Sequence, residues 1–212
     1  MVSRTVFVLG AGSSAEFGMP VGPDLARRIG RAVALSDGQN LDCPAVQSAA
    51  SLLDQEQEGV SAHEHRQAAA RIGVGLEHSN SIDDFVAQHT GSDGCSAVVR
   101  MAKVAITSEI LKAESQSRLV RNDVHPYPGG SIVSSSAGEG GQVPFLAMIL
   151  KRLLGYVSDG EVEARLASVS FIVFNYDRCL EQYLSYFLGV QRNLKLDQAA
   201  ARVSEMDITH VY

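Results

Sequence analysis

Thr5-Val6-Phe7-Val8-Leu9, running into Gly10-Ala11-Gly12-Ser13-Ser14-Ala15, is the stretch that decides the fold class. An apolar, β-branched run that stops abruptly at a glycine reads as a strand buried on both faces, the habit of parallel sheets. Gly10-x-Gly12-x-x-Ala15 then supplies a turn without bulky side chains. Backbone there can approach a phosphate, and free N–H groups at a helix start attract anions. The spacing matches the Gly/Ala variant of the short dinucleotide pattern, although a glycine-bearing turn after a strand is often only a turn. Punctuation continues through Phe17-Gly18-Met19-Pro20-Val21-Gly22-Pro23. A helix is expected to begin near Asp24, a good capping residue, with Leu25, Ile29 and Ala32 or Val33 on one face.

The same signature recurs downstream. Val169-Ser170-Phe171-Ile172-Val173-Phe174 reads as a second buried strand, running into Asn175-Tyr176-Asp177. A helix follows from Arg178 to Leu188, with Leu180, Leu184, Phe187 and Leu188 apolar. A polar helix over Asp197–Ser204 leads to Asp207-Ile208-Thr209-His210-Val211-Tyr212, the start of a third strand. Strands alternating with helices predict parallel pairing through helical crossovers. Between the first two strands the reading is mostly helical: Pro44–Gln57, Ala62–Leu76, a helix opening at Ser81, Ser96–Leu119 and Pro144–Val157. Residues 122–141, rich in Gly, Ser and Pro, read as a flexible loop. The expected fold is therefore α/β, a Rossmann-like parallel sheet with a large helical insertion over about 44–157. The expectation is one domain over 1–212, cut inside its last strand and so incomplete at the C-terminus.

Composition narrows the function. The chain has 212 residues, 18 Lys+Arg against 24 Asp+Glu, and 45% hydrophobic residues, enough for a sizeable core and too apolar for a disordered or fibrous protein. A net charge of −6 without a Lys/Arg cluster argues against nucleic acid or an anionic membrane as partner. Cys43, Cys95 and Cys179 are too scattered for a disulfide framework or a zinc motif, and read as buried thiols of a reducing cytoplasm. No apolar run reaches the ~18 residues of a membrane helix, and the first residues make no secretory signal. A soluble cytoplasmic protein is expected. His63, His65, His78 and His89 lack the spacing of metal ligands, so no metal is expected. Ser134-Ser135-Ser136 has no nucleophile elbow around it.

In open α/β sheets ligands sit outside the carboxyl ends of the strands, which sets Asn175 and Asp177 at the same rim as the Gly10 loop. The plainer reading makes Asn175 a turn residue and Asp177 a helix cap. A Rossmann oxidoreductase calls for an acid about 20 residues past the glycines at the end of a second strand. Asp37 is there, but no apolar strand precedes it, which disfavours hydride transfer.

These residues carry a resemblance. Gly10-Ala11-Gly12-Ser13-Ser14 with Phe17-Gly18-Met19-Pro20-Val21-Gly22 resembles the first motif of sirtuin-type NAD-binding domains. Phe174-Asn175-Tyr176-Asp177-Arg178-Cys179-Leu180-Glu181 and Ser81-Ile82-Asp83-Asp84-Phe85 are similar to motifs of the SIR2-like branch found in bacterial anti-phage defence proteins. The resemblance implies a Rossmann-like NAD-binding domain. It implies Gly10, Ala11, Gly12 and Ser13 against the NAD phosphates and ribose, and Ser14, Gly18, Pro20 and Asp83 among the cofactor contacts. Asn175 would orient a water or the ribose hydroxyls, and Asp177 would hold the nicotinamide amide or support the loop. The three cysteines do not fit the zinc site of true sirtuins.

The family pattern places a histidine base at a strand end, followed by glycine. Aligned on the strand, Tyr212 falls on that position, and a tyrosine with its pKa near ~10 is a poor base. His210, two residues back and on the same strand face, either takes over or is a packed core histidine. The implied function is an NAD glycohydrolase releasing nicotinamide and ADP-ribose in bacterial antiviral defence, with self-association or further domains as partners. The alternatives are a non-catalytic NAD or ADP-ribose binding module and, third, a Rossmann oxidoreductase.

Overall fold

The computed structural model describes residues 4–34, 41, 43–56, 62–79, 81–91, 96–120 and 145–211. Residues 122–141, Asp37, Cys95, Ser134–Ser136 and Tyr212, all singled out above, lie outside them. In chain order the elements are β1 (Thr5–Leu9), α1 (Gly12–Ala15), α2 (Gly22–Ala32), α3 (Pro44–Glu56), α4 (Ala62–Leu76), α5 (Ile82–His89) and α6 (Ser96–Ser115). Then come α7 (Phe145–Leu154), a short 3₁₀ turn (Asp159–Glu161), α8 (Val162–Leu166), β2 (Val169–Val173), α9 (Cys179–Arg192), α10 (Leu196–Ser204) and β3 (Asp207–His210). The protein is mixed α/β and mostly helical. No helix among the described residues is long and apolar enough to cross a membrane. The chain divides into two compact units, Met1–Met19 with Ala113–Tyr212, and Pro20–Lys112.

The first unit holds a three-stranded parallel sheet in the order β1-β2-β3. Leu9 pairs with Val173, and Val173 with His210, so the three strands end together. Central β2 is almost wholly buried. Its Phe171 stacks on Phe7 with ring centroids 5.5 Å apart. The expectation that β1 is buried on both faces is not met: Val6 is 53% and Val8 65% exposed. Alternate side chains point to opposite sides of a strand. β1 is the outer strand, so Leu9 is buried and Phe7 half-buried while Val6 and Val8 face outward. Near the start of the strands Arg4 Nε donates to Ser170 Oγ (3.1 Å), Ser170 Oγ donates to Asp207 Oδ2 (2.7 Å), and Arg4 pairs with Asp207. The Ser170 hydrogen bond, joined by the Arg4 contact, holds the Asp207 carboxyl below its ordinary range.

Helix α9 shows why the unit coheres. Leu180, Tyr183, Leu184, Phe187 and Leu188 recur at helical spacing and are all buried. The helix runs four residues past the expected end at Leu188. It stops where Asn193 adopts the left-handed conformation (φ 50°) and Leu194 N–H donates to the Gly189 carbonyl, a usual way to close a helix. Its chief partner is α10, and α7 also packs on it.

The second unit comprises α2 to α5 and most of α6, around Ile29, Val33, Ala69, Ile72, Ile82, Phe85 and Met101. Asp24 is not the cap of α2. Val21 occupies that position, and Asp24 lies in the first turn, where it pairs with Arg27 (3.0 Å) and Arg28 (2.8 Å). Proline near the helix start moved the boundary two residues earlier, because a missing N–H costs nothing there. Helix α5 is capped by Ser81 Oγ, which accepts from the Asp84 N–H at 3.1 Å. Phe85 sits so close to Gly75 that a Cβ there would lie 2.2 Å from the ring.

Candidate site at the carboxyl rim of the sheet

The rim is assembled by backbone bonds between strand ends. Phe174 N–H donates to the Leu9 carbonyl and Val211 N–H to the Val173 carbonyl, each at 2.9 Å. After Leu9, Gly10 and Ala11 lead into α1, a single helical turn. Its Ser13 and Ser14 N–H groups donate to the Gly10 and Ala11 carbonyls at 2.9 and 3.2 Å. The glycine loop thus bonds these amides to itself. Gly18 closes the segment at φ +94°, a conformation that favours glycine.

Side chains from the first two strand ends then meet. Ser13 Oγ donates to the Gly10 carbonyl at 2.8 Å. Asn175 Nδ2 donates to Ser13 Oγ at 3.2 Å and to Ser14 Oγ at 2.7 Å. Ser14 Oγ donates in turn to Asp177 Oδ1 at 2.8 Å, and the same oxygen accepts from the Cys179 N–H at 3.0 Å. Ser14, Asn175 and Asp177 are each 5% exposed or less. Every donor in this chain has its acceptor, and one acceptor stays over: Asn175 Oδ1 is buried without a hydrogen-bond partner among the described residues. Asp177 Oδ1 thus takes the first N–H of α9, whose N-cap position is Arg178, and ties Ser14 to that helix start.

The third strand end contributes His210. Its Nε2 lies 2.8 Å from Glu181 Oε1, and its Nδ1 lies 3.3 Å from the Asn175 carbonyl. Arg178 Nη1 donates to the same Glu181 oxygen at 2.6 Å, while Glu181 Oε2 is buried without a partner among the described residues. Glu114, at the end of α6, accepts the Arg178 N–H at 2.8 Å and braces the start of α9.

The structure therefore gathers Gly10, Ser13, Ser14, Asn175, Asp177 and His210 at one rim. Ala11 and Gly12 belong to the same loop. Pro20 and Asp83 lie in the second unit, with Asp83 exposed on the first turn of α5. Glu16, Glu114 and Glu181 were given no task from the sequence. Glu16 accepts from the Phe145 and Leu146 N–H groups at 2.8 and 3.4 Å and so caps α7, a contact between residues 129 apart that no local pattern signals. Glu181 stood inside the quoted motif; its ion pair with Arg178 is local, and the arrival of β3 beside α9 adds His210.

A cavity of about 750 Å³ opens beyond Glu181 and Arg178, walled by Val120, Tyr186, Leu196, Val203, Met206 and Ile208 among others. Gly10, Ser13, Ser14 and Asn175 do not line it. Among the described residues no group of three His, Cys, Asp or Glu could hold a metal ion.

Two groups beneath the rim are held neutral. Burial and the adjacent Asp177 carboxylate push the Cys179 thiol far up, and burial with Glu16 nearby pushes Tyr183 up to about 12. Both acids then lose protons more readily in the unfolded chain than in the folded one. Stability should fall as pH rises above about 9, where unfolded Cys179 starts to ionise, and fall further as unfolded Tyr183 ionises from about 10. The companion expectation concerns reactivity, since the thiolate is the nucleophile. At pH 8 iodoacetamide should modify Cys179 only after denaturant is added, as read by peptide mass spectrometry. Modification of Cys179 in the native protein at the rate of a free thiol would show that the rim is open.

No family model, curated protein or solved structure matches the chain.

Proposed function

We propose that the sheet unit follows a Rossmann-like plan, binds NAD at this rim and hydrolyses the bond between nicotinamide and ribose. The observation that supports the reading best is the hydrogen-bonded chain Gly10–Ser13–Asn175–Ser14–Asp177, buried at Ser14, Asn175 and Asp177, which leaves Asn175 Oδ1 without a partner among the described residues. A buried acceptor without a donor costs about 1–3 kcal/mol, so its retention suits a ligand that brings a donor, such as a ribose hydroxyl or a water. The amide cannot turn away, because its nitrogen is bound to two serines.

The chemistry is consistent with such a group. Nicotinamide departs as a neutral pyridine, taking the electron pair of the C1′–N bond. The ribosyl carbon becomes oxocarbenium-like, a water oxygen bonds to it, and the water proton passes to solvent. A fixed amide oxygen near that centre stabilises the developing positive charge without reorganisation. Incubation of the protein with NAD should release equal amounts of nicotinamide and ADP-ribose, measured by chromatography. Under the same proposal the activity serves antiviral defence in the bacterial cytoplasm, gated by self-association or by further domains.

One observation favours a second reading, a module that binds NAD or ADP-ribose without cleaving it. Both His210 ring nitrogens lie against protein oxygens, Glu181 Oε1 at 2.8 Å and the Asn175 carbonyl at 3.3 Å, a placement that suits a structural histidine better than a base. Calorimetric binding of NAD with no nicotinamide release in any assembly state would decide for that reading. Hydride transfer to or from a nicotinamide would overturn both.

A further inference from the structure

We propose that His210 and Glu181 form a clamp whose task is to fix the Asn175 backbone, making His210 a positioning residue rather than the proton acceptor of the reaction. The inference rests on the hydrolase reading and deepens it. A base must offer a lone pair to the water it activates. Carbonyl and carboxylate oxygens only accept hydrogen bonds, and one lies against each His210 nitrogen, the Asn175 carbonyl at 3.3 Å and Glu181 Oε1 at 2.8 Å; the ring donates to both only with a proton on each nitrogen, a form with no lone pair to offer a water.

The clamp has a clear mechanical layout. His210 ends β3 in register with Val173, two residues before Asn175. Glu181 lies on the first turn of α9, just after Asp177. The His210 ring therefore ties the end of one strand to both sides of the 174–178 loop. Asn175 is held at its side-chain nitrogen by Ser13 and Ser14, and at its carbonyl by His210. With both ends fixed, Oδ1 has one direction to point. Arg178 contributes by bonding the same oxygen, Glu181 Oε1, that His210 meets.

The test separates this from direct catalysis through conservative variants, since asparagine carries an N–H donor where histidine has Nδ1 and glutamine carries an acceptor where glutamate has Oε1. His210→Ala should lower kcat for nicotinamide release about 100-fold, the scale of a 1 Å misplacement, and leave KM little changed. His210→Asn should recover most of that loss, because its side-chain amide nitrogen takes the place of Nδ1 and can donate to the Asn175 carbonyl. Glu181→Gln should stay close to the parent, and Glu181→Ala should fall between the parent and His210→Ala. A second readout does not depend on turnover: the Asn175 side-chain amide resonances in a ¹⁵N-¹H spectrum. They should move in His210→Ala and return in His210→Asn. If His210→Asn is as inactive as His210→Ala while the Asn175 resonances stay in place in both, His210 acts on the reacting atoms and the clamp is overturned. If the parent protein releases no nicotinamide, the hydrolase reading fails by itself. Unmoved Asn175 resonances in a folded His210→Ala variant would then still overturn the clamp.

Discussion

Asn175→Ala is expected to reduce nicotinamide release by at least about 100-fold, the typical loss on removing one preorganised dipole from a developing charge. Its melting temperature should stay near that of the parent. The two parts of this result have one cause. Asn175 makes two hydrogen bonds through Nδ2, each worth about 1 kcal/mol net. It also carries a buried oxygen without a partner among the described residues, which costs about 1–3 kcal/mol. Truncation removes both, and the terms roughly cancel. A residue kept for structure alone would behave differently, since its loss would lower stability and activity together. Steady-state release of nicotinamide and a thermal melt on the same sample check the expectation. A variant that melts far below the parent would return Asn175 to the role of a loop strut. One that cleaves NAD at the parental rate would place the reaction elsewhere.

Phe171→Ala should be the most destabilising change in the sheet unit, by about 3–5 kcal/mol. Phe171 is 1% exposed, stands in the central strand and stacks on Phe7. Its removal leaves a cavity that neighbours on both flanking strands must fill. Against a total stability of ~5–15 kcal/mol for a domain, that lowers the melting temperature by roughly 6–20 °C. Val8→Ala is the control: it trims an aliphatic side chain from the same sheet at a position 65% exposed, and should move the melt by little. If Val8→Ala proves as damaging as Phe171→Ala, the outward face of β1 is covered in solution.

What was legible in the sequence was the order of elements and the convergence of two loops. Strand–glycine loop and strand–polar loop are local patterns, and parallel pairing in register brings their ends to one rim without further information. The helix over Ala62–Leu76 could be read residue for residue because its alanine-rich stretch Ala68-Ala69-Ala70 outweighs Gly73 and Gly75 near its end. Other features were not legible because their causes are not local. Val6 and Val8 have the composition of a buried strand, and only the position of β1 at the outside of the sheet exposes them. Asp24 has the chemistry of a cap, but Pro23 let the helix begin earlier. The tasks of Glu16, Glu114 and Glu181 depend on partners 129, 64 and 29 residues away, beyond any window of sequence. Asp177 lent itself to three readings from the sequence, ligand contact, loop support or helix cap; what only the structure adds is that its Oδ1 takes both the Ser14 hydroxyl and the Cys179 N–H.

The division of the chain has a consequence for how it comes off the ribosome. The sheet unit is discontinuous: β1 pairs with a strand that begins 164 positions later, Thr5 with Val169. The intervening Pro20–Lys112 unit is built from helices close in sequence, whose contacts form quickly. Synthesis at ~5–20 residues per second therefore keeps β1 waiting on the order of ten seconds for its partner while the helical unit is already able to fold. During that interval Thr5-Val6-Phe7-Val8-Leu9 is a bare apolar strand, the kind of segment that chaperones hold and that nascent chains on neighbouring ribosomes can pair with. Yield of the native protein should then depend on the delay between the first and second strands, a quantity set by translation rate as much as by the final contacts of Phe7 and Phe171.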